Sequence, residues 1–361
     1  MMRHLTCYPK NRTGFRTHFQ YAGCRNNQGG QSMSATINDV IRDSGADAKL
    51  VQKVLEAEIA EVPAETLAKI LNSVRETGYR RKPHNLGVVY EEESSRGLTH
   101  PFFSLILNEF KKEAEAKGYE ITFIHPLQDN DPDAYITQVM RNRLDGVCFV
   151  CVDFSSPRVL KLIESGIPCL TIDHMFKRIP AVLSDNETGI RKLLEYAIGR
   201  GHTKIAFIHG HNNSVVTRTR IEQFTNVMSY YKLPIPKEYI RESLYDDVPL
   251  TRKRVLELLK LEDRPTCILL PDDISYLGAR DAVQEMGLRI PADISFLGYD
   301  GIPLIQSMSP QLTTIRQSTD LIGKTAAQRL ISMIETPSKY DRLPTIYPVE
   351  LVEGGTVQNL K

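Results

Sequence analysis

The chain has 361 residues, 41% hydrophobic and 25% charged, with a net charge of +1 at pH 7. That length exceeds one comfortable core and predicts several domains, and near-neutrality neither requires nor excludes a polyanionic partner, since local patches can hide in a neutral sum. The six cysteines lack disulfide-framework spacing, no run is long enough to span a membrane, and the basic N-terminus lacks an apolar secretory core, so a cytoplasmic protein is expected.

Residues 1–32 contain no acidic side chain and no sustained apolar periodicity. Such a composition cannot bury enough surface to offset ordering, which predicts a disordered basic extension. It is either a DNA-grasping arm or a segment upstream of Met33. Residues 33–80 read as three short helices. Ile37, Val40 and Ile41 share one face before Ser44-Gly45; Asp47 is placed to cap a second helix carrying Leu50, Val51, Val54 and Leu55. Val62-Pro63 opens a third, with Leu67, Ile70, Leu71 and Val74 at helical spacing until Gly78. Two short helices joined at a glycine and braced by a third form a helix-turn-helix headpiece. A short linker over 81–85 follows.

From Leu86 strands and helices alternate. Strands are predicted at Leu86–Tyr90, Glu120–Ile124, Gly146–Val152, Cys169–Ile172, Ile205–His209, Tyr239–Arg241, Cys267–Leu270 and Ile294–Tyr299, separated by helical runs. This rhythm predicts an α/β domain over 86–361 with two parallel sheets in two similar lobes. Ligands of such sheets bind beyond the carboxyl ends of the strands, where His125, Asp153, Asp173, His174, His211, Asp272, Asp273 and Asp300 collect. Cys148 and Cys151 form a C-x-x-C inside a predicted strand, where an offset of three sends the thiols to opposite faces, so no metal or redox centre is expected. Nothing in the chain matches G-x-S-x-G, H-E-x-x-H or a phosphate-binding glycine loop; neither an enzyme nor a cofactor is expected.

Several motifs in order resemble the lactose/galactose repressor (LacI/GalR) family. They include Ala35-Thr36-Ile37-x-Asp39-Val40, Gly78-Tyr79, His100-Pro101-Phe102-Phe103, Leu144-Asp145-Gly146-Val147, Asp185-Asn186-x-x-Gly189, Gly201-His202, Arg220-x-x-x-Phe224, Pro271-Asp272-Asp273, Gly298-Tyr299-Asp300 and Leu312-Thr313-Thr314-Ile315-Arg316-Gln317. The resemblance implies a periplasmic-binding-protein-like sensor. Its lobes would cover about 86–184 with 316–349, and 185–315 with 350–361, the ligand lying between them. It also implies a homodimer whose paired headpieces read a pseudo-palindromic operator. Carried over residue by residue, it marks Phe102 or Phe103, Arg220, Asp272 and Asp300 as effector-binding, with Asp173 at a nearby strand tip. A sugar or related polyol suits such a set. Asp272 stands where many relatives have asparagine, which would favour a polyhydroxyl or cationic ligand over a phosphorylated one. Asp173 and Asp185 also read as helix caps, and His202 as a structural cation at a helix end.

On the DNA side, Thr36, Lys49, Gln52, Lys53, Arg80, Arg81 and Lys82 are the candidate contacts. The headpiece departs from the family pattern. Over 33–83 eight basic residues are matched by eight acidic ones, and the six residues from Arg80 to Asn85 are too short for the usual minor-groove hinge helix. The leading expectation is a ligand-responsive repressor; the alternative is a cytoplasmic small-molecule sensor whose headpiece no longer binds operator DNA.

Overall fold

The computed structural model describes residues 35–55, 62–79, 85–91, 99–125, 131–338 and 341–361. Contacts divide the chain into two units, the second starting at Pro83. The extension at 1–32, the triplet Arg80, Arg81 and Lys82, and linker residues 81–84 lie outside the described residues.

The first unit holds α1 (Ile37–Ser44), α2 (Ala48–Leu55) and α3 (Ala64–Thr77). Thr36 starts α1 through a reciprocal pair of bonds. Its hydroxyl accepts from the Asp39 N–H at 3.3 Å, and the Asp39 carboxylate accepts from the Thr36 N–H at 2.7 Å. Gly45 ends the helix at φ 62°, a left-handed position that glycine takes without penalty. Asp47 accepts from the Lys49 N–H at 2.8 Å and so starts α2. Val40, Val51, Val54, Val62 and Ile70 form the core, and the Ser73 hydroxyl ties α3 to α1 by donating to the Val40 carbonyl at 3.2 Å.

The second unit contains two six-stranded sheets. The first is ordered β11 (Thr345–Tyr347), β5 (Ala181–Ser184), β4 (Cys169–Ile172), β3 (Gly146–Phe149), β1 (Asn85–Val89), β2 (Glu120–Ile124), and its pairs are parallel. The second is ordered β12 (Glu350–Val352), β10 (Thr313–Arg316), β9 (Ser295–Asp300), β8 (Cys267–Leu269), β6 (Ile205–His209), β7 (Ile240–Glu242), parallel apart from β10 with β12. The α/β fold class read from the sequence holds. Strand alternation explains why both faces of each sheet are covered: in β6, Ala206 and Ile208 join one apolar cluster while Ile205 and Phe207 join another. The helices are α4 (Pro101–Ala116), α5 (Ala134–Arg141), α6 (Pro157–Glu164), α7 (Asn186–Gly199), α8 (Val215–Tyr230), α9 (Val248–Leu259), α10 (Ser275–Glu285), α11 (Pro303–Gln306) and α12 (Thr319–Glu335).

Each sheet reverses its order at its first strand, β1 between β2 and β3 and β6 between β7 and β8, which places a crevice beyond the carboxyl ends there. The chain passes between the sheets after Ser184, after Arg316 and after Tyr347. The strand expected over Gly146–Val152 stops at Phe149, and Cys151 turns to φ 53°. The C-x-x-C thiols therefore do not share a strand. Cys148 is fully buried, and burial pushes its thiol pKa up, away from the thiolate that metal or redox chemistry needs.

Helix α12 was not foreseen. It buries Ile322, Ala326, Ala327, Leu330 and Ile331 and packs along α4. Gly323 permits the approach, because a Cβ there would sit 2.2 Å from the Ile106 carbonyl oxygen and 2.9 Å from the Phe110 nitrogen. Gly323→Ala is accordingly expected to cost about 1–3 kcal/mol by overpacking, despite alanine's better helix propensity. Urea unfolding followed by circular dichroism measures it; a gain in stability would contradict the packing described.

Candidate ligand site

Arg220 projects from α8 and is 5% exposed. Its Nε donates to Asn186 Oδ1 at 2.8 Å and its Nη1 to the Pro271 carbonyl at 3.1 Å. The guanidinium lies 3.6 Å from the centre of the Tyr299 ring and 5.8 Å from that of Tyr245, a cation–π arrangement shielded from water. Small residues make room for both rings. A Cβ on Gly189 would fall 2.2 Å from the Tyr299 hydroxyl, and one on Gly210 would fall 2.2 Å from the Tyr245 ring. Tyr245 is further held by a 2.8 Å hydrogen bond between its hydroxyl and that of Thr217.

Carboxylates from both sheets surround this cation. Asp300 ends β9 at φ 118°, a strained conformation of the kind that clusters at functional positions. Gln317 holds it twice, Nε2 donating to Oδ1 at 2.7 Å and the backbone N–H to the Asp300 carbonyl at 3.2 Å. Burial lifts the Asp300 pKa well above the carboxylate range, Arg220 pulls it back, and Asp273 and Asp272 push it up further. Asp273 accepts from the Ile302 N–H at 2.7 Å and the Thr314 hydroxyl at 2.5 Å, while burial pushes it up to about 7. On the first sheet Asp173 follows β4 at φ 59°; burial raises it to about 6, opposed by Arg220 and by the Ser184 N–H. Burial opposes the charge of Arg220, yet Tyr245, Tyr299, Asp300 and Asp173 hold its pKa above the ordinary value.

Next to Asp173, His174 stacks on Phe154 with ring centres 4.1 Å apart and meets Phe176 at 4.7 Å. Burial and the charge of Arg218 lower its pKa to about 4, so it is neutral at pH 7.

A family model for a periplasmic binding protein-like domain matches residues 194–357. The HTH-type transcriptional repressor PurR of Vibrio vulnificus (strain CMCP6) is 28% identical over 338 residues, which cover 90% of this chain and 99% of that protein. A regulatory protein of the LacI family from Chloroflexus aggregans is similar in structure, with a TM-score of 0.66 at 25% identity, covering 76% of this chain and 98% of that one. The chain resembles regulators of the LacI/GalR type along most of its length. A third likeness, of fold, is to a LacI-family regulator from Enterococcus faecium with bound ribose, at a TM-score of 0.67 and 23% identity over 77% of this chain and 100% of that one. The relatives are regulators, and a LacI/GalR-type chain is not an enzyme.

Set against the residues expected of a LacI/GalR-type sensor, the structure brings Arg220, Asp300 and Asp173 together and treats the others differently. Asp272 adjoins the cluster, but both its oxygens are in use: Oδ1 accepts from the Ser275 N–H at 2.8 Å, and Oδ2 from the Asp246 N–H at 2.8 Å and the Ser275 hydroxyl at 3.1 Å. Its charge anchors the start of α10. Phe102 is 4% exposed and belongs to the core, which leaves half-buried Phe103, packed on His100 at 4.9 Å, as the aromatic able to meet a ligand. Asp185 caps α7 by accepting from the Thr188 N–H at 2.9 Å; Asp173 caps nothing. His202 is a correction. It is 1% exposed, bonded to Thr266 at 2.9 Å and the Gln358 carbonyl at 3.1 Å, and burial lowers its pKa, so it works as a neutral peg and not as a cation.

Sequence reasoning missed Asn186, Tyr245, Tyr299 and Gln317 as partners of the cluster. For Asn186, Tyr299 and Gln317 the signal was present, since each lies inside a motif quoted for the family. Tyr245 lies in a connection with no such mark.

In the headpiece, Lys49, Gln52 and Lys53 lie at helical spacing along α2, Lys49 and Gln52 exposed and Lys53 half-buried, opposite the buried Val51 and Val54. Leu50 packs at the core margin, and Thr36 is committed to its cap.

Proposed function

We propose that the chain is a transcriptional repressor that senses a sugar or related polyol between its two α/β lobes and reads a pseudo-palindromic operator as a homodimer. The observation that carries the reading is the buried cluster in which Asp173 of one lobe and Asp300 of the other act on a single arginine. A ligand that bonds these groups stabilises one lobe arrangement over the other, and a ligand with that preference shifts the population of states. The ribose-bound fold neighbour supports the sugar class. The repressor relative, covered almost end to end, supports the DNA-reading headpiece.

The neutral charge of 33–83 favours one second reading, a sensor whose headpiece has lost its operator. Retention on the chain's own upstream DNA separates the two. Wild type is expected to bind with a salt-dependent affinity, and the Lys49→Ala/Lys53→Ala pair to lose affinity and about two counterions of salt slope. A folded dimer with no sequence preference at low salt would leave only the sensor reading.

A further inference from the structure

The charge balance around Arg220 bears on which ligand the cleft takes. One guanidinium is set among Asp173, Asp272 and Asp300, and two of its three nitrogens already donate within the protein. Nε and Nη1 donate to Asn186 and Pro271, and one face is covered by Tyr299. With Nε committed to Asn186, the side-on edge of the guanidinium lacks the parallel N–H pair of a bidentate clamp, and an anion would also meet the buried carboxyl groups of Asp173, Asp272 and Asp300.

The carboxylates are unequally satisfied. Asp272 accepts three protein hydrogen bonds, Asp273 is held by Thr314 and Ile302, and Asp300 by Gln317. Asp173 accepts from the Ser184 N–H, but its Oδ1 is buried and accepts nothing. Two hydroxyls nearby are also buried without a partner: that of Ser184, which is 4% exposed, and that of Tyr299, which is 1% exposed. Buried polar groups are almost always bonded, so three orphans around one carboxylate mark acceptor capacity meant for something that arrives with N–H or O–H groups.

We propose that the cleft ligand presents a cationic nitrogen to Asp173, with the Ser184 and Tyr299 hydroxyls completing its hydrogen bonds. The ligand class is then an amine- or amidine-bearing polar molecule, such as an amino sugar, and phosphorylated or carboxylated analogues are rejected. This rests on the cleft reading above and moves the charge preference from Asp272 to Asp173. The charged and titratable groups facing Asp173 and its neighbour are Arg220 and Arg218 of α8, Asp300 and Tyr299 of β9, and His174.

The test is Asp173→Asn in the full chain. In the free protein an unsatisfied buried carboxylate is a burden once ionised. The folded-state pKa lies above the unfolded one, so its contribution to stability is intact near pH 4 and lost as pH rises through about 6. The variant should therefore melt with wild type near pH 4 and above it at pH 7. The difference between the two proteins is the quantity to follow, because His174, with a lowered pKa, pulls wild-type stability the opposite way over the same interval. A lower Tm for the variant at pH 7 would make Asp173 a structural carboxylate and overturn the proposal. In a second arm, matched sets of glucose, glucosamine and glucose 6-phosphate, and of ribose, its amino derivative and ribose 5-phosphate, are compared by thermal shift. The amino member is expected to give the largest shift, weakened about tenfold or more in affinity by Asp173→Asn. A larger shift from a phosphorylated or neutral member also overturns it, and if no member shifts the Tm the pH profile alone decides. DNA retention is read separately, so loss of the regulator reading and loss of this one are distinguishable.

Discussion

Arg220→Ala should abolish any ligand-induced rise in Tm and lower the stability of the second unit by about 3–5 kcal/mol at pH 7, the usual cost of removing one partner of a buried ionic cluster. The loss has three sources. Asn186 and the Pro271 carbonyl each lose a donor, Tyr299 loses the cation over its ring, and Asp173 and Asp300 lose their counter-charge. Arg220→Lys restores the charge but neither the planar fork nor the flat stacking face, and is expected to recover only part. The chain contains no tryptophan, so urea unfolding is best followed by circular dichroism. A variant within 1 kcal/mol of wild type that still responds to the same ligand would remove Arg220 from the site.

Asp272→Ala is expected to cost a comparable 3–5 kcal/mol, roughly, while leaving the ligand affinity of the folded protein nearly unchanged. The substitution strands the Asp246 and Ser275 N–H groups, at residues 6% and 0% exposed, and one hydroxyl. Each stranded group costs about 1–3 kcal/mol. The mirror outcome, full stability with ligand binding lost, would return Asp272 to the ligand-contact role that the family comparison first suggested for it. Asparagine at 272 replaces one acceptor oxygen by a donor facing backbone N–H groups, and should fall between wild type and alanine.

The fold was readable wherever a strand buries both faces or a helix carries its own stops. Apolar runs such as Ile205–His209, the stop at Gly45 and the cap at Asp47 place their elements correctly because the cause is local. The elements not foreseen are β5, β10, β11, β12, α11 and α12. The strands among them are three or four residues long, too short for a period to declare itself, and β11 and β12 gain their register from neighbours distant in the chain. Helix α12 has an apolar stripe at Ile322, Ala326 and Leu330, but its glycine makes sense only against the backbone of α4.

The site divides in the same way. Asp300 could be picked out because strand-tip position and motif agree, Arg220 from its motif, and Asp173 from its strand tip. The occupation of Asp272 by backbone donors, and the absence of any donor on Asp173 Oδ1, depend on loops folded from separate parts of the chain. No spacing encodes them.

The first sheet closes with β11 and is covered by α12, elements that leave the ribosome only after the second sheet has received nearly all of its strands. At about 5–20 residues per second, the wait between β5 and α12 is on the order of ten seconds. Throughout it the face that Ile322, Ala326 and Leu330 will cover stays open to water. The lobe begun first therefore waits longest for its parts, and a chain cut short before Thr319 lacks α12 and β11 of the earlier lobe together with β12 and the C-terminal tail of the later one.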